Sequence, residues 1–214
     1  MNRIILEHTL PYIFRAREDL RSDIWQQTLS LERGKICLIE AESGKGKTSL
    51  CSYIIGHRDD YEGTIRFDER DIRSLSMREW TETRRTSLSS LFQDLRLFPE
   101  LTAMENIEIK NSLTHHKTRR QILDLLEALG IADKASQKVG RMSYGQQQRV
   151  AFVRALAQPF DFLLADEPIS HLDDSNARVM AALMLQEVNA QGAGLIITSI
   201  GKHPDLPYEK TFRL

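Results

Sequence analysis

Cysteine is scarce: only Cys37 and Cys51 occur among the 214 residues, and neither has the clustered Cys/His company that zinc needs. Both sit in apolar surroundings, ICLIE and SLCSYI, which predicts small buried hydrophobes in a reducing compartment and no disulfide frame. Long hydrophobic runs are missing too. Nothing approaches the roughly 18–20 apolar residues that span a bilayer, and the stretch MNRIILEHTLPYIF lacks the uninterrupted core of a signal peptide. The expectation is a cytosolic chain. Net charge is almost absent, a formal −1 with 28% charged residues, so no global field draws the chain to nucleic acid or to an anionic membrane. Internal repeats and low-complexity tracts are also lacking.

What is present is alternation between short apolar runs and amphipathic stretches. A chain of this length, 41% hydrophobic, reads as one domain able to bury a substantial core. Ile36-Cys37-Leu38-Ile39 predicts a strand running into a glycine-rich loop and then a helix. Residues 63–68 alternate like a half-exposed strand. Phe162–Ala165 and Leu195–Thr198 are continuous apolar runs, suited to a sheet covered on both faces. Ile122, Leu125, Leu126 and Leu129 repeat at helical spacing with Gly130 as the stop, and Val179, Ala182 and Leu183 predict a second helix ending before Gly192. Strands separated by helices give an α/β fold with a mainly parallel sheet. From about Leu95 to Leu156 only helical patterns occur, which predicts a helical lobe inserted into the sheet domain.

The glycine-rich loop is AESGKGKT, residues 41–48. A backbone that curls round phosphates needs glycine where side chains would block the approach, and its N–H groups point inward where a helix begins. Gly44 and Gly46 supply that freedom. Lys47 is placed to reach the β and γ phosphates, and the Thr48 hydroxyl to bind Mg²⁺. The strict pattern G-x-x-x-x-G-K-[ST] is broken at Ala41. A second motif, FDFLLADEP at residues 160–168, ends an apolar strand in two carboxylates at the sheet edge where ligands of open α/β sheets collect. Asp166 would hold the Mg²⁺ shell, and Glu167 would be the general base for the attacking water.

MSYGQQQRVAFVRAL, from Met142 to Leu156, resembles the signature segment of the ATP-binding cassette (ABC) family, usually L-S-G-G-Q followed by Q-R-V-A-x-A-R-A-L. LFQDLRLFPELTAMENI from Leu91, DEPISHLDD from Asp166 and the phosphate loop complete a series in family order over almost the whole chain. The resemblance implies a P-loop NTPase core at 1–94 and 157–214, an N-terminal antiparallel β region and a helical lobe at 95–156. It implies ATP and Mg²⁺ as cofactors, held by Ser43, Gly44, Lys45, Gly46, Lys47, Thr48 and Ser49. Gln93 would link Mg²⁺ and the water to the helical lobe. Ser143, Gly145 and Gln146 would bind the γ phosphate of ATP held by a second ABC subunit, and Asp173 would cross the dimer interface. An aromatic residue upstream should stack on adenine; Phe14, Tyr12 and Trp25 are the candidates, with Phe14 favoured.

Three positions depart from the family pattern. Ala41 replaces the first loop glycine, Tyr144 replaces the first signature glycine, and the γ-phosphate histidine after the last buried strand is replaced by Ser199 or Ile200, depending on register. His203 follows in a polar turn. The resemblance implies an ATPase that dimerises around two ATP and drives a transmembrane permease on a separate chain, at the cytoplasmic face of a membrane. FQDLRLFPELTAMENI is most similar to the subgroup serving lipoprotein release, macrolide efflux and septum-associated machinery. Beside Gln93, a groove lined by Leu95, Leu97 and Phe98 should accept a helix of that partner. Two alternatives stay open: a degenerate cassette acting as an ATP-dependent switch, and a soluble cassette acting on nucleic acid or ribosomes. No nucleic acid is expected, because Thr83-Arg84-Arg85 and Lys117-Thr118-Arg119-Arg120 read as solvated faces.

Overall fold

Short apolar runs become strands and the 3.6-periodic stretches become helices. The computed structural model describes residues 1–17 and 20–214. In chain order its elements are β1 (Arg3–Pro11), β2 (Thr28–Glu32), β3 (Ile36–Glu40), α1 (Lys47–Ile54), β4 (Tyr61–Phe67), β5 (Arg70–Asp71), α2 (Met77–Thr86) and β6 (Leu88–Leu91). They continue with α3 (Ala103–Asn111), α4 (Arg119–Ala128), α5 (Tyr144–Leu156), β7 (Phe162–Asp166), α6 (Asp174–Gln191), β8 (Gly194–Ser199) and β9 (Lys210–Arg213).

The strands form two sheets. One is antiparallel, in the order β2-β1-β4-β5, and the other runs β6-β7-β8-β3-β9 with every pair parallel. The parallel sheet is buried on both faces. Along β3, Ile36 and Leu38 join the core beneath α3–α6, while Cys37 and Ile39 join a second core shared with α1 and the antiparallel sheet. Strand β7 alternates in the same way, with Leu163 and Ala165 on the first side and Phe162 and Leu164 on the second. This two-sided burial explains why these strands read as unbroken apolar runs. Burial raises the Cys37 thiol pKa to about 11 and holds that of Cys51 well above its usual range. Both cysteines are therefore protonated core residues.

From Leu95 to Leu156 the regular elements are helices joined by turns and loops, with one isolated bridge, Thr102 to Lys138. Helices α3, α4 and α5 each start on a reciprocal capping box, Thr102/Glu105, Thr118/Gln121 and Ser143/Gln146, which satisfies two otherwise orphaned N–H donors per helix. Helix α4 ends at Gly130 with φ +66°, and α6 ends at Gly192 with φ +56°.

Three expectations need correction. Helix α6 forms, but its buried stripe is Ala177, Met180, Ala181, Met184 and Val188; Ala182 is exposed, and Val179 and Leu183 lie on the flank. Alanine and methionine carry that face, so Val179 and Leu183 mark only its edge and Ala182 lies off it. Leu95 is 4% exposed and belongs to the core, so it cannot line a docking groove; Leu97 is half-buried and Phe98 is exposed. The basic clusters are not simply solvated. Lys117 is buried, its Nζ 2.9 Å from both carboxylate oxygens of Glu187. Arg84 donates to the carbonyls of Ile55 and Gly56 across the face of Trp80.

Candidate functional site

In a parallel sheet the loops after the strands share one edge. Those after β3, β6, β7 and β8 meet there around a cleft of about 260 Å³, lined by Phe14, Gly44, Lys47, Thr48, Gln93, Glu167 and Ile200 among others.

The loop after β3 curls because Gly44 and Gly46 have φ of +79° and +98°. An added Cβ on Gly46 would sit 3.0 Å from both Phe14 and Trp25, so that position needs glycine for space as well as conformation. Ala41 has no positive φ, and its N–H donates to the Ser199 carbonyl at 3.1 Å. Its methyl group therefore costs the loop no backbone strain. Lys47, only 6% exposed, lies inside the curl and donates to the carbonyls of Ala41 and Glu42, both at 3.2 Å. Burial lowers its pKa, and Glu167 and Asp166 oppose that shift. The amine thus stands between the loop carbonyls and the carboxylates, with Glu167 Oε1 at 3.9 Å.

Thr48 Oγ1 donates to Asp166 Oδ2 at 3.2 Å, and the Thr198 hydroxyl donates to Asp166 Oδ1. The two threonines fix both carboxylate oxygens of Asp166. Glu167 sits at φ +50°, its N–H bonded to the Thr198 carbonyl at 3.0 Å. A left-handed backbone at a non-glycine residue is a strained conformation; here it turns the carboxylate off the strand end toward the cleft. Oxygen donors from Thr48, Asp166 and the exposed Gln93 form the hard donor set that suits Mg²⁺.

Gln93 follows β6. The chain beyond it takes left-handed φ at two consecutive residues, Leu95 (+57°) and Arg96 (+49°). Arg154 of α5 holds that turn, donating to both of their carbonyls at 2.5 and 2.6 Å. Helix α5 grips the same loop at its other end, where Tyr144 Oη donates to the Gln93 carbonyl at 2.8 Å.

After β8 the alternatives separate. Ser199 is fully buried and its hydroxyl donates to the Lys202 carbonyl at 2.6 Å. His203 packs edge-on against Tyr208 and lines a different cavity. Ile200, 47% exposed, is the residue that faces the cleft. An isoleucine supplies no hydrogen-bond donor from its side chain.

Ser143 is the exposed N-cap of α5, its Oγ accepting the Gln146 N–H, while Gln146 Oε1 accepts the Ser143 N–H. The Gln146 side chain is committed to the cap, whereas the serine O–H is not part of it. Gly145 packs closely: a Cβ there would come within 3.3 Å of the His171 carbonyl. Asp173 caps α6 through the Asn176 N–H at 2.9 Å, a bond that also lowers its pKa. Among the aromatics, Trp25 is buried with Nε1 bonded to the Lys45 carbonyl. Tyr12 stacks under the Arg15 guanidinium at 3.6 Å. Phe14 alone of the three lines the cleft.

Of the residues singled out in the sequence, Lys47, Thr48, Gln93 and Glu167 line this cleft, and Asp166 lies beside it, bonded to Thr48. Sequence reasoning missed Thr198 and Arg154, and it missed the contact of Tyr144 with Gln93. Thr198 had one signal, a hydroxyl within an apolar strand paired to Asp166 in register; the other two depend on loop conformation that no spacing reveals.

Such a strand–loop–helix cradle, with its oxygen donors and carboxylate at one sheet edge, defines a P-loop nucleotide-binding protein. A family model described as ABC transporter matches residues 25–170, and the chain belongs to that family. It is 37% identical over 148 residues to an ABC transporter ATP-binding protein of Mycobacterium tuberculosis, covering 68% of this chain and 45% of that one. The lipoprotein-releasing system ATP-binding protein LolD of Porphyromonas gingivalis is 35% identical over 80% of each chain. The chain thus spans less than half of the first relative and most of the second. Among solved structures, the dimeric bacterial ABC transporter cassette MJ0796 matches with TM-score 0.78 and 27% identity over 92% of this chain and 87% of that one. The same cassette solved with ADP and Pi matches at 0.77. The fold is that of an ABC ATPase, a mainly parallel P-loop core with an antiparallel sheet and a helical region.

Proposed function

We propose that this chain binds and hydrolyses ATP as one half of a cassette dimer and drives a separately encoded transmembrane permease. One observation carries the reading: Lys47, Thr48, Gln93 and Glu167 converge on a single cleft, with Asp166 bonded to Thr48 beside it. Lys47 and the loop N–H groups take the β and γ phosphates. Thr48, Gln93 and Asp166 would hold Mg²⁺, which supplies charge neutralisation at the phosphate oxygens. Glu167 accepts a proton from the attacking water, and Gln93 orients that water. Phe14 is 4% exposed, so it would have to turn from its packing on Trp25 to stack on the base; Ser43, Lys45 and Ser49 complete the cradle. Ser143, Gly145 and Gln146 face the nucleotide of the second subunit, where a helix N-terminus favours phosphate. Residues 95–156 act as a lobe moving against the core at 1–94 and 157–214.

No helix among the described residues is long and apolar enough to cross a membrane. The similarity to LolD supports a place at the cytoplasmic face of a membrane, with the permease docked near Gln93 and the exposed Phe98. The test is the solution mass of Glu167→Gln with and without ATP and Mg²⁺, by light scattering. A dimer that appears only with nucleotide supports the proposal; a monomer throughout, with no nucleotide bound in titration, rejects it.

Ile200 favours a second reading, a slow cassette whose ATP-bound dimer acts as a switch. A side chain able to donate to the γ phosphate is worth about ten-fold or more in rate at a charged centre. Ile200→His is therefore expected to raise steady-state phosphate release about ten-fold. An unchanged rate would mean that the isoleucine does not limit turnover.

A further inference from the structure

Tyr144 stands where relatives of the signature pattern have glycine, and its side chain, 41% exposed, lies across the surface against the loop after β6. Its hydroxyl donates to the Gln93 carbonyl at 2.8 Å. Its ring meets His171 edge-on, with centroids 4.4 Å apart at 62°. His171 Nδ1 lies 2.8 Å from Ser170 Oγ, which in turn donates to the Glu167 carbonyl at 3.1 Å. One residue therefore touches both the loop carrying Gln93 and the segment leaving Glu167. It does so from the first turn of α5, immediately after the N-cap Ser143.

Gln93 and Glu167 serve the nucleotide of their own subunit, whereas Ser143 and the start of α5 face the nucleotide of the other. We infer that Tyr144 is a positioning residue that couples the two ATP sites, an inference that rests on the cassette-dimer reading. Ordering Gln93 around its own Mg²⁺ and nucleotide holds the Gln93 carbonyl in place. That carbonyl holds the tyrosine, and the tyrosine sets the helix start presented to the partner's phosphate. Glycine at this position can make neither contact, so the coupling is a property of this chain's own substitution. A coupling free energy acts in both directions, so closure of the dimer should likewise order Gln93.

The experiment compares Glu167→Gln with Glu167→Gln/Tyr144→Phe, using light scattering over a series of ATP and Mg²⁺ concentrations. Phenylalanine keeps the ring against His171 and removes only the hydroxyl, and thermal unfolding checks that the variant folds. Losing one neutral hydrogen bond from the coupling should raise the ATP and Mg²⁺ midpoints for dimer formation about three- to ten-fold. Fluorescent-nucleotide affinity measured on dilute monomer should stay within about two-fold, because the hydroxyl meets only the backbone carbonyl of Gln93 and touches neither Lys47, Thr48 nor the phosphate-loop N–H groups. A purely structural tyrosine would shift the thermal midpoint and leave both dimerisation midpoints in place, and that result overturns the inference. A lowered midpoint overturns it as well. If the Glu167→Gln parent itself never dimerises with ATP, the dimer reading fails first and the coupling falls with it.

Discussion

Glu167→Gln is expected to lower ATP turnover by roughly 10²–10⁴-fold, the range for loss of a positioned general base. The amide keeps the shape of the side chain and loses its basicity. The backbone contacts that turn residue 167 into the cleft, its N–H to the Thr198 carbonyl and the Ser170 hydroxyl on its own carbonyl, do not involve the carboxylate. Nucleotide affinity should therefore change little. Phosphate release measured with a coupled assay, beside a fluorescent-nucleotide titration, separates the two quantities. A fall in turnover of less than ten-fold would take the base away from Glu167 and favour the switch reading instead.

Lys47→Ala should act on binding. The amine is buried, donates to two loop carbonyls at 3.2 Å and faces two carboxylates. With ATP bound the amine would pair with the phosphates instead, and truncating one partner of a buried, hydrogen-bonded charge pair costs about 2–5 kcal/mol, roughly 30- to several-thousand-fold in affinity. ATP titration by calorimetry gives the number. An affinity within three-fold of the parent would mean that Lys47 serves only the loop's own carbonyls. The two substitutions are expected to separate chemistry from capture, Glu167→Gln acting on the rate at saturation and Lys47→Ala on whether saturation is reached.

The elements with the simplest physics were the most legible. Strands β3, β7 and β8, buried on both faces, announced themselves as apolar runs, and Gly130 and Gly192 marked helix ends. The edge strand Leu88–Leu91 did not, because two of its four residues are serines; its identity comes from pairing with β7. The juxtaposition of Thr48 and Asp166 was legible, because a glycine-rich loop and a carboxylate ending an apolar strand of one parallel sheet meet at the same edge. The fate of the missing histidine was not. Ser199 and Ile200 are adjacent, and only the hydrogen bond of Ser199 to Lys202 turns the serine inward and leaves isoleucine at the cleft. Leu95 misled for a related reason: a left-handed turn puts it into the core while Phe98, three residues on, remains exposed.

Strand β3 carries the phosphate loop, and both of its neighbours arrive late in the sequence. Leu38 pairs with Ile197 on one side and with Thr211 on the other. A growing chain emerging from the ribosome would have the loop sequence exposed while neither flanking strand yet existed. Pairings so distant in sequence bear a large closure entropy and form slowly. On the proposed reading, nucleotide capture and closure on a second subunit would wait until nearly all of these residues have been synthesised. Such late assembly also leaves β3's backbone N–H and C=O groups unpaired and its apolar side chains uncovered during synthesis, the stage at which chaperone protection matters most.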